Sequence, residues 1–335
     1  MRHIARHEHE TTPCSFRQGC EHISVMASGG REEVQELLEK LHHFTSGNEL
    51  RNARSARDIV VDISEYLTKD LSPVQYDLYL SDVFGEKGII AFGTRVTKEQ
   101  AFVDVRNSTL DLIITILKKD IKKIIKYVGD ITNYTLFLYN ADKSTKVCAH
   151  ALEAFCLVLE KCSSHVNVQD INLHQLIEGI CIQTQRYKGS TVLHHQLRTL
   201  GMLAKVFPEN VRRHSSMILK IYKEHLAKHM GQKTDLIALA GVLRGLTLYL
   251  CHFPEGIDDD PLLYKTLFEH VRKALNPNLD LHRRDAQRGK ILEIFIFCYF
   301  YDFQSAVNRC HFLSCGRSHI FVYDGVLLKS FDYHI

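Results

Sequence analysis

The stretch STLDLIITILKK, residues 108–119, places Leu110, Ile113 and Ile116 on one face of a helix, because positions i, i+3 and i+6 or i+7 lie above one another on the 3.6-residue turn. The same stripe returns in HALEAFCLVLEK (150–161) at Leu152, Phe155 and Val158, and in HQLRTLGMLAK (195–205) at Leu197, Leu200 and Leu203. It returns again in GVLRGLTLYLC (241–251) at Leu243, Leu246 and Tyr249, and in GKILEIFIFC (289–298) at Ile291, Ile294 and Phe297. Successive first positions are 42, 45, 46 and 48 residues apart. Between these helices lie others of comparable length: Ile121 to Leu138, Ile171 to Tyr187, Val211 to His229 and Leu262 to Leu275.

Two helices per unit of roughly 40–47 residues is the pattern of HEAT and armadillo repeats. A single helix pair leaves its apolar stripe half covered, and a stacked neighbour supplies the second wall, at about 1.5–3 kcal/mol for each buried leucine. The expected fold is all-α, a HEAT/armadillo-like α-solenoid of antiparallel helix pairs. The competing expectation is a non-repetitive all-α domain with coincident spacing. Working outward, helical patterning begins near Glu32 (Val34, Leu37, Leu38, Leu41), resumes over Ile59 to Leu67, and continues almost to Phe303. Four of the six prolines, Pro208, Pro254, Pro261 and Pro277, fall where helices should start or stop. Residues 1–29 read as a disordered leader, 30–303 as the repeat region and 304–335 as an irregular, non-native tail in which His319 to Tyr323 is strand-like. Met26-Ala27-Ser28-Gly29-Gly30 reads as a natural start.

The bulk composition suits a soluble scaffold. Hydrophobic residues make up 45% and charged residues 24% of the 335, which rules out wholesale disorder. A net charge of +3 is too weak to imply nucleic acid, so any such contact must come from local patches. None of the ten cysteines is in a CxxC pair, and most lie in apolar helical runs where a thiol packs as a small hydrophobe, which fits a reducing compartment. No secretory apolar segment opens the chain, and the most apolar run, Ile291 to Phe300, is too short to span a bilayer and contains Glu293.

Three basic groups are the candidate sites. Lys118, Lys122 and Lys126 recur every four residues, with Lys119 and Lys123 beside them and Ile121, Ile124, Ile125 and Val128 on the other side. Such a ridge can neutralise backbone phosphates, or it can be a solvated helix face. Arg212 and Arg213, with Lys220, Lys223, His225, Lys228 and His229, form the second group; Arg283, Arg284 and Arg288, with Lys290, form the third. No aromatic residues interleave, so contact would be to backbone and not to stacked bases. The leader cluster His3, His7, His9, Cys14, Cys20 and His22 has zinc-ligand residue types without zinc-ligand spacing, Cys14 and Cys20 being separated by five residues, and reads as leader rather than metal site. Asp258, Asp259 and Asp260 precede Pro261 as acidic residues favouring a helix N-terminus. No nucleophile–base constellation, catalytic residue, metal ligand set or cofactor site can be assembled, so no cofactor and no small-molecule substrate are expected.

The stretch 239–246 (LAGVLRGL), followed by Leu250-Cys251-His252-Phe253 and Asp258-Asp259-Asp260-Pro261, resembles the early HEAT region of the DNA-dependent protein kinase catalytic subunits, of the phosphatidylinositol-3-kinase-related kinase family. Phe268 to Pro277, Asp280-Leu281, and earlier Leu200-Gly201 and Phe207-Pro208-Glu209 continue the likeness collinearly from about Val83 to Phe303. The resemblance implies a long nuclear Ser/Thr kinase of non-homologous end joining, whose N-terminal solenoid meets DNA ends and the Ku heterodimer. It implies sequence-independent DNA contact, nuclear localisation and, as a further partner, the rest of the kinase chain. No Gly-rich phosphate loop, Asp-Phe-Gly or catalytic loop occurs here, and His282-Arg283-Arg284-Asp285 lacks catalytic-loop spacing. The expectation is therefore a non-enzymatic fragment, truncated isoform or incomplete gene product. The alternative is a generic HEAT adaptor for a protein partner.

Overall fold

The computed structural model describes residues 31–44, 50–69, 71–169, 171–186, 189–229, 235–253, 321–323 and 326–328. Two compact units divide the chain, residues 1–279 and 280–335. The described part of the first is all-α.

Its helices form where apolar stripes and caps coincide. Helix α1 covers 31–43 and buries Val34, Leu38 and Leu41. Helix α2 (Leu50–Glu65) starts earlier than its aliphatic run at Ile59, because Ala53 and Ala56 extend the buried face of Val60 and Ile63 toward the N-terminus. Helix α3 (Pro73–Val83) begins with a capping box: Ser72 Oγ accepts from Gln75 N at 3.3 Å, and Gln75 Oε1 accepts from Ser72 N at 2.9 Å. Pro73 stands at the first helical position, where no N–H is needed. The short α4 (Ile89–Arg95) leads to α5 (Val103–Lys119).

The helix expected over Ile121 to Leu138 is interrupted. Asp120 is extended (φ −148°, ψ 101°) and its carboxylate accepts from Lys122 N at 3.1 Å, so α5 ends and a new helix is capped there. A four-residue α6 (Ile121–Ile124), a 3-10 turn (Ile125–Tyr127) and α7 (Val128–Ala141) follow. Then come α8 (Thr145–Cys162), α9 (Leu173–Gln185) and α10 (Ser190–Val206). The helix expected over Val211 to His229 is likewise two pieces, α11 (Pro208–Arg212) and α12 (Ser215–His229), with Arg213 and His214 in the turn between them. Helix α13 (Leu236–Leu250) is capped by Asp235, which accepts from Ala238 N at 3.1 Å. The helices expected at Leu262 to Leu275 and around Ile291 lie outside the described residues.

The aligned stripe is the core. Leu110, Leu152 and Leu197 are fully buried and Leu243 is 6% exposed; every described residue three and six positions on is buried too. These helices meet in sequence order: α5 packs on α8, α8 on α10 and α10 on α13. The intervening helices back them, α7 against α8, α9 against α10 and α12 against α13.

At the α10–α13 crossing the backbones themselves meet. A Cβ on Gly245 would stand 2.3 Å from Leu197 O, one on Gly201 2.2 Å from Gly245 O, and one on Gly241 2.4 Å from His194 Cα. Glycine is required at all three positions because nothing larger fits between the helices. Tyr222 crosses the same contact and donates to Leu197 O at 2.8 Å.

A second joint is polar. Arg106 of α5 is 1% exposed; its Nε donates to Asp142 Oδ2 at 2.6 Å, and its Nη1 donates to Val96 O at 2.8 Å and Glu99 O at 2.9 Å. Asp142 Oδ1 also accepts from Ser144 N at 2.8 Å, so one guanidinium joins the α4–α5 and α7–α8 connections.

In the second unit, β1 (Phe321–Tyr323) and β2 (Val326–Leu328) pair antiparallel with Val322 opposite Leu327, and β1 falls within the strand-like stretch of the tail. Among the described residues no helix is long and apolar enough to cross a membrane.

Candidate nucleic-acid interface

The break at Asp120 distributes the first lysine group over three elements. Lys118 and Lys119 end α5, Lys122 and Lys123 belong to α6, and Lys126 lies in the 3-10 turn. The uninterrupted ridge expected from the four-residue spacing is therefore not formed.

Two of these lysines serve the fold. Lys119 Nζ donates to Leu67 O at 2.5 Å. Lys123 Nζ donates to Pro73 O at 2.7 Å and pairs with Asp77 at 3.1 Å. Both ammonium groups lie over the Tyr76 ring, 5.6 and 5.4 Å from its centroid, within cation–π range. Burial, with Asp120 and Asp77 nearby, pushes the Tyr76 hydroxyl up to about 12, so it stays protonated at neutral pH. Lys126 sits 4.7 Å from the Tyr127 centroid. Lys118 and Lys122 are exposed.

In the second group, Arg212 lies 3.9 Å from Glu209 and 5.3 Å from the Phe253 ring centroid. Arg213 is exposed in the α11–α12 turn. Lys220 pairs with Glu224 one turn on, at 3.9 Å. Lys228 is exposed, whereas His225 and His229 face inward, 6% and 5% exposed, and stack at 5.7 Å. Burial, then His229 and Lys228, pushes His225 down to about 4, so it adds no positive charge at neutral pH. Arg283, Arg284, Arg288 and Lys290 lie outside the described residues.

Sequence reasoning misses Tyr76, whose ring lies under both Lys119 and Lys123, and Asp77, which pairs with Lys123, both residues of the distant helix α3. It also misses a cleft of about 350 Å³ beside the start of α10, lined by Lys146, His150, Glu153, Ser190 and His195 among others. Burial, with His194 and Arg198 beside it, pushes His195 down to about 3, and its Nδ1 is buried without a hydrogen-bond partner. No local pattern announces either feature, since each is assembled from separate helices.

Residues 77–296 match the family described as DNA-PKcs, N-terminal. The chain belongs to this family. The match covers the elements from α3 to α13, including the glycine crossing and the Arg106 joint. Among its relatives are the DNA-dependent protein kinase catalytic subunit of Canis lupus familiaris, 24% identical over 261 residues, and that of Xenopus laevis, 24% identical over 238 residues. The Mus musculus protein is 23% identical over 253 residues. These alignments cover 76%, 69% and 74% of this chain, and about 6% of each relative. The matched family region is thus the N-terminal part of a kinase subunit, and the chain spans a small fraction of the relatives' length.

Proposed function

We propose that this chain acts as the N-terminal scaffold arm of a DNA-dependent protein kinase catalytic subunit, a HEAT-type α-solenoid that contacts DNA ends and Ku during non-homologous end joining in the nucleus. The observation that carries this reading is the family match over residues 77–296. The solenoid part draws support from the evenly spaced, buried stripe and from the order in which α5, α8, α10 and α13 meet. A scaffold role needs no cofactor or small-molecule substrate, and the catalysis for which the relatives are named would come from elsewhere in a longer kinase chain.

DNA contact would fall to the outward lysines Lys118, Lys122 and Lys126, to Arg213 and the more engaged Arg212, and to Arg283, Arg284 and Arg288. Backbone contact carries no base information, so binding should be independent of sequence. Affinity of the isolated chain should be poor, roughly 10⁻⁴–10⁻⁶ M, and should fall steeply with salt as counterions are released. Ku would raise it by holding the end nearby.

The test is a salt titration of duplex-end binding. Lys118→Ala/Lys122→Ala/Lys126→Ala and Arg283→Ala/Arg284→Ala/Arg288→Ala should each weaken binding and flatten the log–log salt slope by about 0.9 for every phosphate no longer neutralised. Lys119→Ala/Lys123→Ala should instead lower stability, because those side chains tie α5 and α6 to the segment around α3. If neither triple variant changes affinity or slope, the basic groups are solvated faces. The internal employment of Lys119 and Lys123 favours that second reading, a HEAT adaptor for a protein partner.

A further inference from the structure

Three side chains outside the basic groups converge between α9 and the α11–α12 turn. His174 stands in the first turn of α9, Glu178 is one turn further along the same face, and His214 belongs to the two-residue turn. His174 Nδ1 and His214 Nε2 are 2.6 Å apart, and His174 Nε2 lies 3.6 Å from Glu178 Oε1. One ligand atom from each residue falls within 4.8 Å of the other two.

The placement is firm on one side and open on the other. His214 is 6% exposed; its N–H donates to Val211 O at 2.8 Å and its carbonyl accepts from Ile218 N at 3.0 Å. Helix α9 is fixed by the Asn172 cap, which accepts from Gln175 N at 3.1 Å, and by buried Ile177 and Ile180. His174 and Glu178 are exposed, so an ion has a path in from solvent.

We propose that His174, Glu178 and His214 bind a divalent first-row transition-metal ion of the zinc class, with water completing the coordination, and that the ion clamps α9 to the α11–α12 turn. Two imidazoles and one carboxylate suit such an ion, whereas calcium and magnesium require mostly oxygen ligands. Zinc–nitrogen bonds of about 2.0–2.1 Å in tetrahedral geometry set the two ring nitrogens about 3.3 Å apart. The exposed His174 ring has room to widen the gap from 2.6 Å to that distance while the buried His214 stays in place.

The chain contains 20 histidines and ten cysteines, so the probe must report ligand type as well as binding. Titration of the full chain with Co²⁺, followed by displacement with Zn²⁺, does so. The expected result is one tight site with visible d–d bands and no thiolate-to-cobalt charge transfer, and a thermal midpoint that rises with zinc. His174→Ala and Glu178→Gln, both at exposed positions, should each weaken the site about tenfold or more while leaving the circular dichroism unchanged. Unaltered affinity in both variants, or a thiolate charge-transfer band at the tight site, would overturn the proposal.

Discussion

Arg106 is buried to 1% exposure, and a guanidinium out of water is tolerated only when its donors are answered. Asp142 and the carbonyls of Val96 and Glu99 answer them. Arg106→Met leaves the Asp142 carboxylate buried and unopposed, so it should lower unfolding free energy by about 3–5 kcal/mol in urea denaturation. Replacing both partners with apolar residues should recover only part of that loss, because Asp142 also holds Ser144 N. A loss under about 1 kcal/mol, typical of an exposed pair, would refute the clamp. Two histidines act through protons. Folding holds His195 down to about 3 and His225 down to about 4, whereas unfolded histidine titrates near 6.5. Between those limits the unfolded chain binds more protons than the folded one, so stability is full above about pH 6.5 and declines as pH falls, by about 1.4 kcal/mol per pH unit for each group. The decline ceases once the folded groups protonate. Urea midpoints from neutral to acidic pH should show it, and His195→Gln should flatten the slope; an unchanged slope would assign the effect to other groups. None of this is visible in the sequence. A single arginine in VDVRNST reads as exposed, because its carboxylate partner lies 36 residues away.

Helix-scale features are more legible, because burial imprints a period on the chain. The stripe through Leu110, Leu152, Leu197 and Leu243 correctly marks four core helices. The same reasoning fails at the lysines, since a four-residue spacing survives a helix break whenever the break inserts no net phase. The missed signal is Asp120, a capping residue standing between two apolar runs. Gly201, Gly241 and Gly245 belong to the stretches that carry the family resemblance; the structure supplies their reason, a contact of backbone on backbone. Gly245→Ala should therefore destabilise by about 1–3 kcal/mol through overpacking. Gly179→Ala, whose Cβ would meet nothing within 4 Å in the interior of α9, should stabilise by about 0.5–1 kcal/mol. Denaturant midpoints of the two variants should move in opposite directions. If Gly245→Ala also stabilises, the two helices do not touch in the way described.

For the molecule as a whole, periodicity is enough to indicate the all-α class, and a diffuse collinear likeness from about Val83 to Phe303 is enough to indicate the family that matches over residues 77–296. Composition alone cannot suggest a DNA role: +3 spread over 335 residues generates no long-range field worth naming. The basic residues reveal their duties only once neighbouring helices are in place, which is why Lys119 and Lys123 look free in the sequence. The order in which the helices meet carries one more consequence, for folding speed. Gln196 reaches back 57 residues to Tyr139, and Arg95 reaches back 53 to His42. Each is little more than the spacing between successive core helices. Loop-closure entropy depends on the length of the segment being closed, and folding slows as contacts become more distant in sequence. When every new helix docks on a recent predecessor, adding helices lengthens the chain but not the loops it must close. A polypeptide of this construction can be extended greatly without folding more slowly per unit.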